Sequence, residues 1–323
     1  MSVKVGIVVL NWNGGAQTIA CVESARSQHY REKFIVLVDS HSEDAERNDL
    51  RRRYGDDPSI ELCFLDADRG YTGGMNIGMD AALARGADMT LLVTHDAVLA
   101  PGALSAMVET AAVDPRVGIV GPKVVDAQRA SQVLSIGERV HVALLCVPRT
   151  LLRYRRTRAT PYEVSGVIGC VMLVTRRCVE TIGNFDEDFF MYYEEVDLCL
   201  RARTAGFKVA CTPYAVVTHD GMRGYLAGLA RTSAELKARN LLRLMRRWAG
   251  PTDWLLLVPT YGMLLAGSMI LYSLRGRFDV VVGMARGMVA GVRGRAGMPQ
   301  SVGAEPVRVA ESEAVCRNLH SRS

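Results

Sequence analysis

The chain reads as an α/β sandwich built on a parallel sheet, and two observations carry that reading. Short apolar runs rich in β-branched residues recur without polar alternation, as strands buried on both faces require. Segments of helical composition separate them, as parallel crossovers demand. The expected strands are 3–10, 34–39, 60–65, 89–94 and 117–125.

The expected helices between them are 16–28, 43–54, 76–85 and 101–112, the last opening on a proline at a favourable early position. After Asp126 the alternation weakens, and a basic segment leads to an apolar run at 164–174, read as a supporting strand or strand pair. The densely acidic and aromatic stretch FDEDFFMYYEEVDLCLR (185–201) then enters a helix over 192–205, which Gly206 ends, before a further strand at 207–219. Residues 254–274 carry no charge and are long enough to cross a bilayer core. Pro259, Gly262 and Gly267 interrupt them and basic residues flank both sides, so a re-entrant or interfacial helical pair is expected over one simple span, with a buried core helix as the alternative. Residues 300–323 are polar and expected to be disordered.

With 323 residues, 49% hydrophobic and 23% charged, the chain has room for one large domain or two smaller ones, and disorder is excluded for most of it. The net charge is only +5, but basic residues gather at 153–158, 237–247 and 275–295, a pattern expected to face anions. Aromatics do not interleave the later runs, which favours phosphates of lipids or a small substrate over nucleic acid. Cys21, Cys63, Cys146, Cys170, Cys178, Cys199, Cys211 and Cys316 form no CxxC pair and are read as free thiols of a reducing compartment. The N-terminal apolar run ends in turn residues and is read as a first strand, not a signal peptide.

The candidate chemistry lies at strand ends. NWNGG (11–15) and VDSHSED (38–44) fall at the carboxyl edge, where open α/β sheets bind ligands. Asp39 is suited to a ribose or base, or to its own turn. In DADRGYTGGMNIG (66–78), Gly73 and Gly74 before a helix start, with Arg69, suit a diphosphate, although an ordinary turn needs the same residues. Asp96, after the fourth strand, suits a divalent cation bridging diphosphate oxygens, or a cap. On the helix after the acidic stretch, Glu194, Asp197 and Arg201 share one face, with Asp197 and Arg201 at the supportive i, i+4 spacing. Glu195 lies on an apolar arc near the helix N-terminus, where a carboxylate is suited to act as a general base. Asp186, Glu187 and Asp188 read as turn and capping residues. His219, ending the last strand, suits a metal site shared with Asp96.

In this order the motifs VVLNWNG, VDSHSED, DADRGYTGGMNIG, LLVTHDAV, GIVGPKVV, FDEDFFMYYEEVDLCLRARTAGF and VTHDG resemble those of the family 2 glycosyltransferases, most closely the bacterial rhamnosyltransferase-like branch. The resemblance covers about residues 3–221 and runs more loosely into RNLLRLMRRW and LRGRF. It implies an A-type glycosyltransferase fold, a Rossmann-like mixed sheet flanked by helices, with a C-terminal helical membrane-associated extension. Residues 1–230 would form the nucleotide-sugar-binding catalytic domain, 231–299 the helical extension and 300–323 a disordered tail. The implied reaction is an inverting transfer of a sugar, with rhamnose the candidate, from a nucleotide diphosphate sugar to a hydroxyl of a polyprenyl-linked or cell-envelope saccharide. It would occur at the cytoplasmic face of a bacterial membrane.

Carried over by position, Asn11, Asn13 and Asp39 would contact the nucleoside, and Arg69, with Gly73 and Gly74, the diphosphate side. Asp96 and His219 would hold Mg²⁺ or Mn²⁺, and Glu195 would be the catalytic base. Two departures stand out: Thr94, His95 and Asp96 replace the family's Asn-Pro-Asp or multiple aspartates, and Glu195 replaces the usual Asp. The rival readings are a catalytically inactive nucleotide-binding module of the same fold and a Rossmann oxidoreductase. The absence of GxGxxG disfavours the second.

Overall fold

The computed structural model describes residues 3–129, 131–142, 158–221 and 223–299. Cys146, Cys316, most of the basic run 153–158 and the tail 300–323 lie outside the described residues. The strands are β1 (Val5–Asn11), β2 (Lys33–Asp39), β3 (Ile60–Phe64), β4 (Met89–Thr94), β5 (Ala97–Leu99), β6 (Val117–Asp126), β7 (Val133–Ser135), β8 (Tyr162–Val164), β9 (Val171–Thr175) and β10 (Lys208–His219). Among the described residues they form one sheet in the order β3-β2-β1-β4-β9-β6-β10-β5, with β7 against β6 and β8 against β10.

The β3-β2-β1-β4 half is parallel, as the unbroken apolar runs require. The other half is mixed. β9 enters antiparallel between β4 and β6, so the apolar run at 164–174, read as a supporting strand or strand pair, supplies a central strand from Val171 onward. Its entry places Gly169 and Cys170 beside the carboxyl end of β4, where the Cys170 carbonyl accepts from the Thr94 amide at 2.9 Å.

Helices α1 (Ala16–Arg26), α2 (Asp44–Tyr54) and α4 (Ala103–Ala112) form where the sequence predicts them. Helix α3 (Gly70–Ala84) begins six residues before the expected start at 76. Its glycines resemble loop composition, yet they serve close packing: a Cβ at Gly74 would collide with Leu10, and one at Gly78 with Val8 and Val38. Helix–sheet approach outweighs the poor intrinsic propensity of glycine. Two apolar clusters, one around Ile7, Leu37 and Leu91 and the other around Val8, Val36 and Met75, cover opposite faces of the sheet.

Helices α5 (Arg176–Ile182) and α6 (Glu194–Thr204) follow β9, and Gly206, in the left-handed region at φ 87°, terminates the second. Three helices close the described chain: α7 (Arg223–Trp248), α8 (Pro251–Leu274) and α9 (Phe278–Val292). A third apolar cluster joins α6 to α7 and α8 through Phe189, Leu200, Leu244 and Leu257. α9 lies directly on α7, because Gly283 and Gly287 meet backbone carbonyls of Arg231 and Glu235 where any side chain would collide.

α8 is long and apolar enough to cross a membrane, and little of it is buried. Pro259 lies inside it without ending it. Leu255, Met263 and Leu274 are 76%, 69% and 82% exposed.

The basic run at 237–247 departs from its expected anion-facing role. Arg239 is buried and donates to main-chain carbonyls, Arg243 and Arg247 pair with Asp188 and Asp186 at 2.8 and 2.9 Å, and Arg246 donates to the carbonyls of Gly291 and Val292. The acids of the stretch before α6 face these cations, so the charge of the run is largely spent within the protein. Arg275, Arg277, Arg293 and Arg295 remain exposed.

The six described cysteines are free thiols, five of them buried. Burial pushes Cys178 and Cys211 up to about 12, which keeps them protonated and inert at neutral pH.

Replacing Gly78 with valine is expected to destabilise the fold by about 1–3 kcal/mol, measured by urea denaturation, because α3 must move off β1.

Candidate active site at the carboxyl edge of the sheet

Asn11 ends β1, is fully buried, and acts as a hub. Its amide donates to Asp39 (2.8 Å), Ser42 (3.2 Å) and Glu46 (2.8 Å), while its carbonyl accepts from Gly14 N and from the Thr18 hydroxyl. Asp39 ends β2 and is 1% exposed, accepting also from Ser42 N at 3.1 Å, with the Arg47 guanidinium 3.5 Å away. These two residues therefore hold the ends of β1 and β2 and the start of α2 in register. Asn13 is half-buried with φ 47°, donating its amide to Ser42 Oγ and accepting from Glu43 N. The edge beside them is thus rigidly built.

The start of α3 differs from the expected exposed cluster of amides. Asp68 caps it, accepting from Gly70 N at 2.8 Å and Ser40 Oγ at 3.1 Å, and Thr72 N donates to the Phe190 carbonyl. Burial raises the Asp68 carboxyl above its usual value even though these donors pull it down. Gly73 and Gly74 are buried helical residues here, and Gly73 packs on Arg69. Arg69 itself is largely exposed and only loosely near Glu187, at 3.9 Å, so its guanidinium is available to an anion.

Asp96 and His219 come together as expected. His219 Nε2 lies 3.1 Å from Asp96 Oδ2, and Thr94 Oγ1 donates to Asp96 Oδ1 at 2.7 Å. Burial alone would raise the Asp96 carboxyl. The hydrogen bond and charge of His219, with His95 and Thr94 behind it, outweigh burial and hold it below the usual carboxylate range. Among the described residues no group of three or more His, Cys, Asp or Glu is arranged to hold a metal. One carboxylate and one imidazole suit a divalent cation that takes its remaining ligands from substrate phosphates and water.

Glu195 is buried at the start of α6, against Gly169, whose Cβ position lies 3.5 Å from the Glu195 side chain. Gly169 and Cys170 connect this acid to the Asp96 pair: Gly169 lies against Glu195, and the Cys170 carbonyl accepts at 2.9 Å from the amide of Thr94, whose hydroxyl donates to Asp96. Tyr71 on α3 donates to the Gly169 carbonyl at 2.7 Å. Burial, reinforced by Glu194 and Glu195, pushes its phenol well above the ordinary value and keeps it a neutral donor. Asp197, two residues further on, belongs to the framework: it takes Arg201 at 2.8 Å, the Trp248 indole at 2.9 Å and Arg247 at 3.3 Å. Asp186 caps the turn before α6, as its spacing predicts.

A cavity opens between these parts. Trp12, Ser40, Asp68 and His95 line one side, and Tyr192 and Ser233 belong to the other, where α7 forms the wall.

Residues 3–250 match the family described as glycosyltransferase like family 2. The chain belongs to this family. The glycosyltransferase is 28% identical over 232 residues to the N-acetylglucosaminyl-diphospho-decaprenol L-rhamnosyltransferase of Mycobacterium tuberculosis (strain ATCC 25618 / H37Rv), covering 66% of this chain and 75% of that one. It is 21% identical over 196 residues to the dTDP-rhamnosyl transferase RfbF of Shigella flexneri, covering 58% and 59%. Its fold is similar to that of a mannosyltransferase from Pyrobaculum calidifontis in complex with GDP-Man and Mn²⁺, with TM-score 0.58 and 17% identity over 90% of this chain and 88% of that one. GalNAc-T7 with UDP, GalNAc and Mn²⁺ gives TM-score 0.55 at 16% identity, over 68% of this chain and 43% of that one. The mixed α/β fold of A-type glycosyltransferases is therefore the fold of this chain, and family membership carries transferase activity on a nucleotide sugar in general terms.

In this glycosyltransferase the expected residues divide by position. Asn11 and Asp39 are buried supports, Arg69 is exposed, Asp96 and His219 pair beside Thr94, which is held by the Cys170 carbonyl, and Glu195 lies against Gly169. Sequence reasoning missed Ser42, Glu46 and Thr18 of the Asn11 hub, because their partners lie up to 35 residues away. It also missed Asp68, although an Asp whose side chain accepts from the backbone two residues on is a common turn signal.

Replacing Asp197 with alanine is expected to cost about 3–5 kcal/mol in thermal unfolding, since it leaves Arg201 and the Trp248 indole without their buried acceptor. Asn11→Ala should weaken nucleoside diphosphate binding in titration calorimetry, because Asp39 and Ser42 lose their common donor.

Proposed function

We propose that the chain catalyses an inverting, single-displacement sugar transfer from a nucleotide diphosphate sugar to a hydroxyl of a polyprenyl-linked or cell-envelope saccharide. The observation that carries this reading is the placement of a buried carboxylate, Glu195, against Gly169, while the carbonyl of the next residue, Cys170, holds Thr94, the donor to Asp96 of the Asp96–His219 pair. The buried Asn11–Asp39 hub shapes the nucleoside end, and Arg69 serves the diphosphate as an exposed cation.

Asp96 and His219 would hold a divalent cation, which when bound supplies positive charge to the departing diphosphate. Glu195 takes the proton from the acceptor hydroxyl as that oxygen attacks the anomeric carbon from the face opposite the diphosphate. Tyr71, kept neutral, fixes the Gly169 carbonyl beside Glu195 and so narrows the space the acid can explore.

Two of the similar curated proteins are rhamnosyltransferases by name, and one of them acts on a diphospho-decaprenol, which makes rhamnose and a lipid-linked acceptor the first choices. The exposed apolar length of α8 and the arginines of the turn after it suit a membrane surface with anionic head groups.

The test is nucleotide release from UDP-, dTDP- and GDP-sugars by the purified full chain with a polyprenyl diphosphate saccharide as acceptor, with and without Mn²⁺ or Mg²⁺. One donor is expected to turn over with metal. Glu195→Gln should lower the turnover number about 10²–10⁴-fold, and Asp96→Ala should remove the metal dependence. Nucleotide binding by wild type and Glu195→Gln with no turnover of any donor would instead identify an inactive binding module.

A further inference from the structure

The chain leading into Glu195 adopts a costly backbone. Phe190, Tyr192 and Tyr193 all lie in the left-handed region, at φ 62°, 75° and 73°, although each carries a large aromatic side chain. Tyr193 is the N-cap residue immediately before α6, so its conformation sets where Glu194 and Glu195 emerge. Such a run persists only where its surroundings over-determine it.

The determinants come from α7. Asn240, fully buried, directs its amide nitrogen at the carbonyls of Phe189 (2.8 Å), Met191 (2.8 Å) and Tyr192 (3.0 Å). Arg239, also buried, donates to the Phe189 carbonyl at 2.9 Å and, through Nε, to Asn240 Oδ1 at 2.8 Å. That last bond fixes which way the Asn240 amide faces, since its oxygen is taken by Arg239 and its N–H groups must point to the loop. Ser233, two turns earlier, meets the Tyr192 hydroxyl at 2.8 Å.

We infer that Arg239 and Asn240 are positioning residues for the transfer: they latch residues 189–193 in the strained form that presents Glu195 to the acceptor hydroxyl. The inference rests on the reading of Glu195 as the base. It also gives the helical extension a part in the chemistry that neither the donor edge nor an anchoring role supplies. Neither residue lines the cavity.

Asn240→Asp tests it, because the side chain keeps its size and its acceptor for Arg239 but loses both N–H donors. The turnover number at saturating donor is expected to fall about 100-fold, with the affinity for the nucleoside diphosphate unchanged. Arg239→Lys, which keeps the charge but not the bond to Asn240 Oδ1, should show a smaller fall in turnover with the same unchanged affinity, and it serves if Asn240→Asp does not fold. Hydrogen exchange of the amides at 189–196 should quicken in both variants, a readout that needs no turnover. Wild-type turnover and wild-type exchange in Asn240→Asp would overturn the latch, as would parallel loss of turnover and nucleotide affinity. Full activity of Glu195→Gln in the same assay would instead remove the base assignment, so the two failures are distinguishable.

Discussion

The interface between the acidic stretch before α6 and the basic face of α7 is the interaction on which the rest depends. Asp186, Asp188 and Asp197 would be uncompensated carboxylates near apolar surface if Arg247, Arg243 and Arg201 were absent. Asp197 is completely buried, so its three donors are a condition of folding and not an ornament of the surface. The exposed pairs contribute less each, and their weight lies in registering one helix on the other.

The two halves of the site are therefore supported in different ways. The half around Asn11 is locally built: the ends of β1 and β2 and the start of α2 meet through Asn11, and each of these links lies within the first 46 residues. The half that carries Glu195 leans on Gly169 before β9, on Tyr71 of α3 and on α7, elements separated by more than 150 residues of chain. Asp96 and His219 sit at the seam, one from each half of the sheet.

Much of the fold was legible because its signals are local. The buried parallel strands, α1, α2, α4 and α6, and the pairing of Asp197 with Arg201 follow from periodicity and i, i+4 spacing. The start of α3 was not, since glycines that permit contact with Leu10 and Val8 look like glycines of a loop. The central place of β9 was equally hidden, because insertion between β4 and β6 is decided by partners far away in the chain. The basic run of α7 misled for the opposite reason. Its charge pattern reads as an outward face until the acids 50 to 60 residues earlier are seen to meet it. At the site, the types of Asp96, His219 and Glu195 were readable, whereas the Asn11 hub and the left-handed run at 190–193 exist only in three dimensions.

The glycine contacts between α9 and α7 bear on how this protein can be handled. Gly283 and Gly287 let α9 rest on the carbonyls of Arg231 and Glu235, and Arg246 ties the end of α9 to the same helix. Cutting the chain after α7 to obtain a water-soluble fragment would strip that cover from the outer side of the helix that braces residues 189–193. A preparation that keeps α9 in place preserves the brace.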